Sequence, residues 1–342
     1  MRIMKKKLLA LMMTMALAAG LMACGGSEEA AAPAEETAEE AAEEATGEVY
    51  KIGVLQYVQH AALDASNEGF FAALDEAGIA YEVDQQNAAG EAASCDTIAD
   101  TLVNNGSDLI LAIATPAAQA VAGKTSDIPI ILTAVTDPAE SGLVESNDAP
   151  GGNVTGTSDL TPVKEQMELL AEILPETKTV GILYCSAEAN SVLQADMAKA
   201  ALDELGIAYE DYTVSSSNEI QTVVESAVGK VDALYAPTDN MIAAGMATVG
   251  MVANENGLPV ICGEEGMVNE GGLATYGIDY YSLGYLAGQQ AIEILTNGAD
   301  PATTPIGYLA AEDCALTVNE ETVAALEAAG LDLSALTAKI AE

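Results

Sequence analysis

Thr179–Tyr212, TVGILYCSAEANSVLQADMAKAALDELGIAYEDY, decides the fold, because the chain carries nearly the same text a second time in Lys51–Asp84, KIGVLQYVQHAALDASNEGFFAALDEAGIAYEVD. At one constant offset and without a gap, Gly181 falls on Gly53, Leu202-Asp203-Glu204 on Leu74-Asp75-Glu76, and Gly206-Ile207-Ala208-Tyr209-Glu210 on Gly78-Ile79-Ala80-Tyr81-Glu82. Each copy reads as a buried strand, a helix stopped by glycine, and a second strand. A period this long is no solenoid repeat. It predicts two similar domains.

Outward from the repeat the strand–helix rhythm continues. In the first copy Ile52–Val58 reads as a strand, Leu63–Ala77 as a helix and Tyr81–Asp84 as a strand. Then come a helix over Ala92–Asn104, a strand over Leu109–Ala114, a helix from Pro116 to Lys124 and a β-branched strand over Ile128–Val135. Alternation at these lengths argues for a parallel sheet covered by helices on both faces. The second copy matches further on: Asp232–Ala236 corresponds to Asp108–Ala112, and Leu258-Pro259-Val260-Ile261 to Ile128-Pro129-Ile130-Ile131. A helix over Ser282–Asn297 is expected to return to the first domain; a strand near Ala315–Val318 and a helix over Glu320–Ala329 close the chain.

The fold class is therefore α/β, two doubly wound parallel-sheet lobes joined by a multi-stranded hinge. Residues 49–152 with 274–300 are assigned to the N-terminal lobe, and 153–273 with 301–342 to the C-terminal lobe. Hinge candidates are Gly151–Gly156 and Gly272–Tyr281.

Composition narrows the functions open to such a pair. The 342 residues carry 53 Asp and Glu against 11 Lys and Arg, a formal charge of −42, which argues against nucleic acid or an anionic surface as partner. A single His, His60, leaves no material for a multi-histidine metal site or a His-relayed cascade. No phosphate-binding glycine loop is present, and Glu264-Glu265 are adjacent rather than facing, so an enzyme is the weakest reading and no cofactor or metal is expected.

Residues 1–23 read as an export signal: Arg2 and Lys5-Lys6-Lys7 precede the apolar run Leu8–Gly20, and Leu21-Met22-Ala23-Cys24 resembles a bacterial lipobox, with Cys24 as the lipidated residue. Residues 24–48, with nine Glu and no basic residue, read as an acidic tether. The expected location is the cell membrane, lipid-anchored on the extracytoplasmic face. Cys95, Cys185, Cys262 and Cys314 have no metal-clamp spacing and read as buried thiols.

In an open parallel sheet the ligand lies beyond the carboxyl ends of the strands, so two such ends facing across a hinge make one cleft. The turns there nominate Gln56, Leu63, Asp64, Thr115, Gln119 and Thr136 from the first lobe. From the second lobe they nominate Asn190, Ser191, Thr238, Asp239, Asn240 and Glu264, with Asp279 in the crossing. By the repeat, Ser186–Ser191 is the counterpart of Gln59–Leu63, so Asn190 and Ser191 should face Ala62 and Leu63.

Six strings together carry a family resemblance: Gln59–Asp64 (QHAALD), Ala112–Gln119 (AIATPAAQ), Thr133–Pro138 (TAVTDP), Pro150–Asp159 (PGGNVTGTSD), Pro237–Asn240 (PTDN) and Tyr276–Tyr281 (YGIDYY). In order and spacing, over roughly residues 50–320, they resemble the substrate-binding lipoproteins of ABC importers related to the tryptophan-uptake binding protein. Ala61 departs from that pattern, where the family usually has Pro. The resemblance implies a type I periplasmic-binding fold, a small amino-acid ligand such as tryptophan or phenylalanine, and ABC permease subunits as partners of a monomer. A sugar or nucleoside binder, or a ligand-sensing receptor component, remains open on the same fold.

A zwitterion needs donors for its carboxylate and an anion for its ammonium. Helix N-termini at Thr115-Pro116 and Asn190-Ser191 can supply the donors without Lys or Arg, and Asp239 and Asp279 can hold the ammonium. Thr115, Asn190, Ser191 and Asp239 equally suit plain helix caps. Asp64 and Asp137 read as a first-turn helix charge and a turn former. Tyr57, Tyr184, Tyr235 and Tyr276 could contact an aromatic ligand or simply fill the core.

Overall fold

The structure, a computed structural model, describes residues 48–310 and 314–340. The signal segment, Cys24 and the tether up to residue 47 lie outside the described residues.

The first lobe runs β1 (Tyr50–Gln56), α1 (Ala61–Glu76), β2 (Tyr81–Asn87), α2 (Ala92–Asn104), β3 (Leu109–Ile113), α3 (Thr115–Ala122), β4 (Ile130–Val135) and β5 (Val154–Ser158). Its five strands are parallel in the order β2-β1-β3-β4-β5. The second lobe runs α4 (Val163–Ile173), β6 (Thr179–Cys185), α5 (Ala189–Leu205), β7 (Ala208–Val214), α6 (Ile220–Ala227), β8 (Ala233–Ala236), α7 (Asn240–Ala244), α8 (Met246–Glu255), β9 (Val260–Cys262), α9 (Glu265–Asn269) and β10 (Ala274–Gly277). The chain then returns as α10 (Tyr280–Asn297) and ends with β11 (Ala315–Val318), α11 (Glu320–Ala328) and α12 (Ser334–Ile340). The second sheet repeats the first order, read β7-β6-β8-β9-β10, with β11 added antiparallel to β10 at the edge.

The duplication is visible in local chemistry. Gly78 and Gly206 take left-handed φ of 68° and 71° where α1 and α5 stop, a conformation glycine adopts without a Cβ penalty. Asp108 accepts the Lys51 N–H, and Asp232 accepts those of Lys178 and Thr179, so the same carboxylate pins the first strand of each sheet. The copies differ in one respect. Ile52 pairs with Val83, whereas its counterpart Val180 pairs with Tyr209, a register two residues away from the one the alignment implies. A shift of two keeps every side chain on its face, which is why the sequence pattern tolerates it.

The lobe boundaries read from the sequence need correction. β5 pairs with β4 in the first sheet, so residues 153–158 belong to the first lobe rather than the second. β10 pairs with β9 in the second sheet, so residues 274–277 do not belong to the first. Residues 301–307 also stay with the first lobe, where Gly307 bridges Thr157. The glycines taken as hinge lead into an edge strand, and Gly156, at φ 143°, sits where a Cβ would strike the Leu132 backbone. Among the described residues the crossings thus include 159–162 and 278–279.

α10 does return to the first lobe and packs along α1. Its buried Leu283, Ala287, Ala291 and Ile294 join the core of Ile52, Leu55, Phe70 and Leu74. The helices touch backbone to backbone through Gly69, Gly284 and Gly288, a spacing only glycine permits. At Gly284 a Cβ would overlap the Ser66 carbonyl. Gly284→Ala should therefore cost about 1–3 kcal/mol of stability, read as a lowered urea midpoint; an unchanged midpoint would show that the two helices part at no cost.

Candidate functional site

The carboxyl ends of the two sheets meet around one small cavity of about 10 Å³. Its wall comprises His60 and Leu63 of the first lobe, Ala134 in β4 and Thr136 just after it, Asn190, Thr238–Asn240, Ala243 and Glu264 of the second lobe, and Asp159 and Tyr280 beside the crossings. Larger open hollows lie elsewhere, such as one of about 410 Å³ bordered by Pro175, Asp232 and Asp332, at the opposite ends of the second-lobe strands.

Among the described residues four carboxylates are buried at this junction, and no Lys or Arg lines it. In three of them both oxygens accept hydrogen bonds. Asp239 caps α7, taking the Ile242 N–H at 2.7 Å and the Cys185 N–H at 2.6 Å. Glu264 caps α9 through the N–H groups of Gly266 and Met267. Glu188 takes Asn240 Nδ2 at 2.6 Å and the Met241 N–H at 3.2 Å. The fourth, Asp159, is different: Oδ2 accepts the Tyr280 hydroxyl at 2.7 Å, while Oδ1 is buried with no partner. A buried charge wants pairing, and among the described residues Oδ1 is the one carboxylate oxygen lining the cavity without a hydrogen-bond partner.

Gln194 ties the lobes together. Its Nε2 donates to Thr238 Oγ1 at 2.6 Å and to Thr136 Oγ1 at 3.3 Å, and its Oε1 accepts the Thr238 N–H. A hydroxyl that accepts must send its single proton elsewhere. Thr136 also lies beside Asp159, where its hydroxyl favours the charged carboxylate. Ala114 and Ala134 hold positive φ of 81° and 54° at the ends of β3 and β4, backbone strain of about 1–3 kcal/mol each of the kind that gathers at functional sites.

Of the residues nominated from sequence, Leu63, Thr136, Asn190, Thr238, Asp239, Asn240 and Glu264 come together at the cavity. Ser191 lies behind it, bonded to Asp239, and Thr115 is buried with its hydroxyl unpartnered but off the wall. Gln56 and Asp64 bond one another at 2.7 Å and brace the loop before α1. Gln119 is exposed, bonded to the Ser141 carbonyl, because it falls on the outer face of α3. Asp279 is an exposed cap of α10, taking the N–H groups of Tyr281 and Ser282, so it does not reach the cavity to hold an ammonium. Asp239 is likewise a cap, fully occupied. Asp159, Tyr280 and Gln194 were not nominated, while His60 and Glu188 lie within the candidate turns Gln56–Asp64 and Ser186–Ser191 without being singled out there. Asp159 ends β5, and the strand-end rule would have found it had β5 been placed in the first sheet.

Burial sets the titration of these groups. It pushes Asp159 up to about 6, against the hydrogen bonds of Tyr280 and Thr136, and Glu264 up to about 7, against two backbone N–H donors. Burial and then the Asp239 charge push Glu188 up to about 8, and burial raises Asp239 too. His60 is pushed down to about 4 by burial. Cys95, Cys185 and Cys262 are buried thiols, raised by the same desolvation.

Two lobes, each a doubly wound sheet, closing strand ends on a cavity that spans them define a type I periplasmic-binding fold. Residues 51–332 match the ABC transporter substrate binding protein family, and the chain belongs to it. The tyrosine-binding protein of Clostridioides difficile is 42% identical over 280 residues, 81% of this chain and 80% of that one. A Streptococcus pneumoniae ABC domain in complex with L-Trp is 38% identical with a TM-score of 0.79, covering 82% of this chain and 95% of that one. The ligand-free, open structure of a Clostridium difficile substrate-binding protein with adhesive properties is 41% identical with a TM-score of 0.62, covering 81% and 95%. Among the described residues no helix is long and apolar enough to cross a membrane.

The raised carboxylates make a signed prediction. Glu264 and Glu188 bind protons in the folded chain at pH values where the unfolded chain, with carboxyls near 4.5, has released them. Stability must then fall as pH rises through 7 to 8. His60 acts oppositely, but only between about 4 and 6.5. Urea midpoints should drop from pH 6.5 to 8, and Glu264→Gln should flatten the slope; a rising midpoint would contradict the burial account.

Proposed function

We propose that the chain captures an aromatic L-amino acid, tyrosine or tryptophan, outside the cytoplasm and delivers it to a membrane permease without chemically changing it. The observation that carries the reading is Asp159 Oδ1, a buried acceptor with no partner on a wall shared by both lobes. The ammonium of an amino acid is the group that suits it: three N–H donors and a positive charge, in a site whose fixed charges are all negative. The ligand carboxylate takes the Thr238 hydroxyl, on a wall that carries no Lys or Arg. The names of the tyrosine-binding relative and of the L-Trp complex support an aromatic side chain.

Capture works by hinge closure. A cavity of about 10 Å³ has room for about one water, so an amino acid enters only when the lobes part. At nearly equal identity the chain scores 0.79 against the L-Trp complex and 0.62 against the open structure, as a lobe angle nearer the liganded one would produce. Anchoring through diacylated Cys24, with the acidic tether as spacer, would keep a monomer beside its permease.

Calorimetric titration with tyrosine and tryptophan tests the reading. Asp159→Asn, which keeps shape and loses charge, should weaken binding about 10- to 100-fold, the equivalent of about 1.5–3 kcal/mol for a hydrogen bond to a charged group. Asp279→Ala should change it less than about twofold. Wild-type affinity should also fall as pH drops below about 6, where Asp159 takes up a proton. An Asp159→Asn variant that binds as tightly as wild type would remove the assignment.

A further inference from the structure

His60 lines the cavity and the reading above leaves it unused, and its hydrogen-bonding state can be derived. Asn240 gives its Nδ2 to Glu188 at 2.6 Å, which turns its Oδ1 toward His60 Nε2 at 3.4 Å. An amide oxygen only accepts, so Nε2 carries the imidazole hydrogen and Nδ1 is a bare lone pair. Burial keeps the ring neutral at physiological pH. Nδ1 is itself buried and without a partner. A lone pair there repels a ligand carboxylate and calls for a donor.

Its surroundings say which donor. His60 lines the cavity with Leu63 and Ala243 as well as with the polar trio of Asp159, Tyr280 and Thr136. His60 and Ala243 also border an adjoining hollow of about 210 Å³, whose lining includes Ala61, Ala244 and Ala247 together with Gln59, Glu264 and Glu270. The short alanine side chains beside the imidazole leave room for a planar ring, and none of Asp159, Tyr280 and Thr136 borders that hollow.

We propose that His60 Nδ1 accepts a hydrogen bond from the ring of the bound amino acid, so that the protein selects an aromatic side chain bearing N–H or O–H over phenylalanine. The proposal rests on the aromatic amino-acid reading above. A site that hydrogen-bonds a ligand N–H or O–H discriminates strongly against the analogue without it, because the protein group is then left buried and unpaired.

Titration of wild type with tyrosine, tryptophan and phenylalanine should show one or both of the first two binding more tightly than phenylalanine by about tenfold or more. His60→Phe, checked for folding by its thermal midpoint, should close that gap, and His60→Gln, which retains an acceptor, should keep part of it. His60 is the only histidine in the chain, so nitrogen NMR on wild type supplies a second readout that needs no variant. The Nδ1 resonance should shift on adding the preferred ligand and shift less with phenylalanine. Equal affinity for all three ligands, an undiminished gap in folded His60→Phe, or an Nδ1 signal unmoved by the preferred ligand would overturn the proposal. If none of the three binds wild type, the aromatic amino-acid reading falls first and this one with it.

Discussion

The junction between the lobes depends on carboxylates held out of water without a cation. Three of the four are stabilised by backbone and amide N–H groups, and those same contacts start helices α7 and α9, so the electrostatics of the site and the local fold are one construction. The fourth, Asp159, is only half satisfied, by Tyr280 and Thr136. An unpaired buried oxygen is costly to the protein alone and favourable to a ligand that brings a positive donor. The site is thereby ready for an ammonium group with no Lys or Arg to neutralise it first.

The geometry follows from duplication. Two sheets of the same strand order present their carboxyl ends to each other, and the short crossings at 159–162 and 278–279 place Asp159 and Tyr280 between them. Tyr280 begins α10, which the Gly69, Gly284 and Gly288 contacts clamp onto α1. A rigid first lobe therefore carries the hydroxyl that orients the carboxylate. Gln194 spans the lobes as a closure contact, since it bonds Thr238 on its own side and Thr136 on the other.

Much of the fold was legible because the repeat supplied each element twice. Gly78 and Gly206 mark the same helix stop, and Asp108 and Asp232 the same strand start. The alternation of strands and helices also placed α10 against the first lobe. What was not legible depended on contacts distant in sequence. Gly151–Gly156 has the composition of a hinge, and only pairing with β4 shows that it leads into an edge strand. That displacement hid Asp159, while Asp279, in an apolar setting by sequence, turned out to be an exposed cap because the helix starts at its side. Gln194 carries no local signal beyond lying one turn after Asn190.

The central claim is that Asp159 receives the ammonium of a bound amino acid. A crystal structure of the complex with tyrosine or tryptophan tests it most directly. The account predicts the ligand nitrogen within about 3.2 Å of Asp159 Oδ1. A complex in which that nitrogen bonds another carboxylate, or in which Asp159 faces the ligand carboxylate, would contradict it.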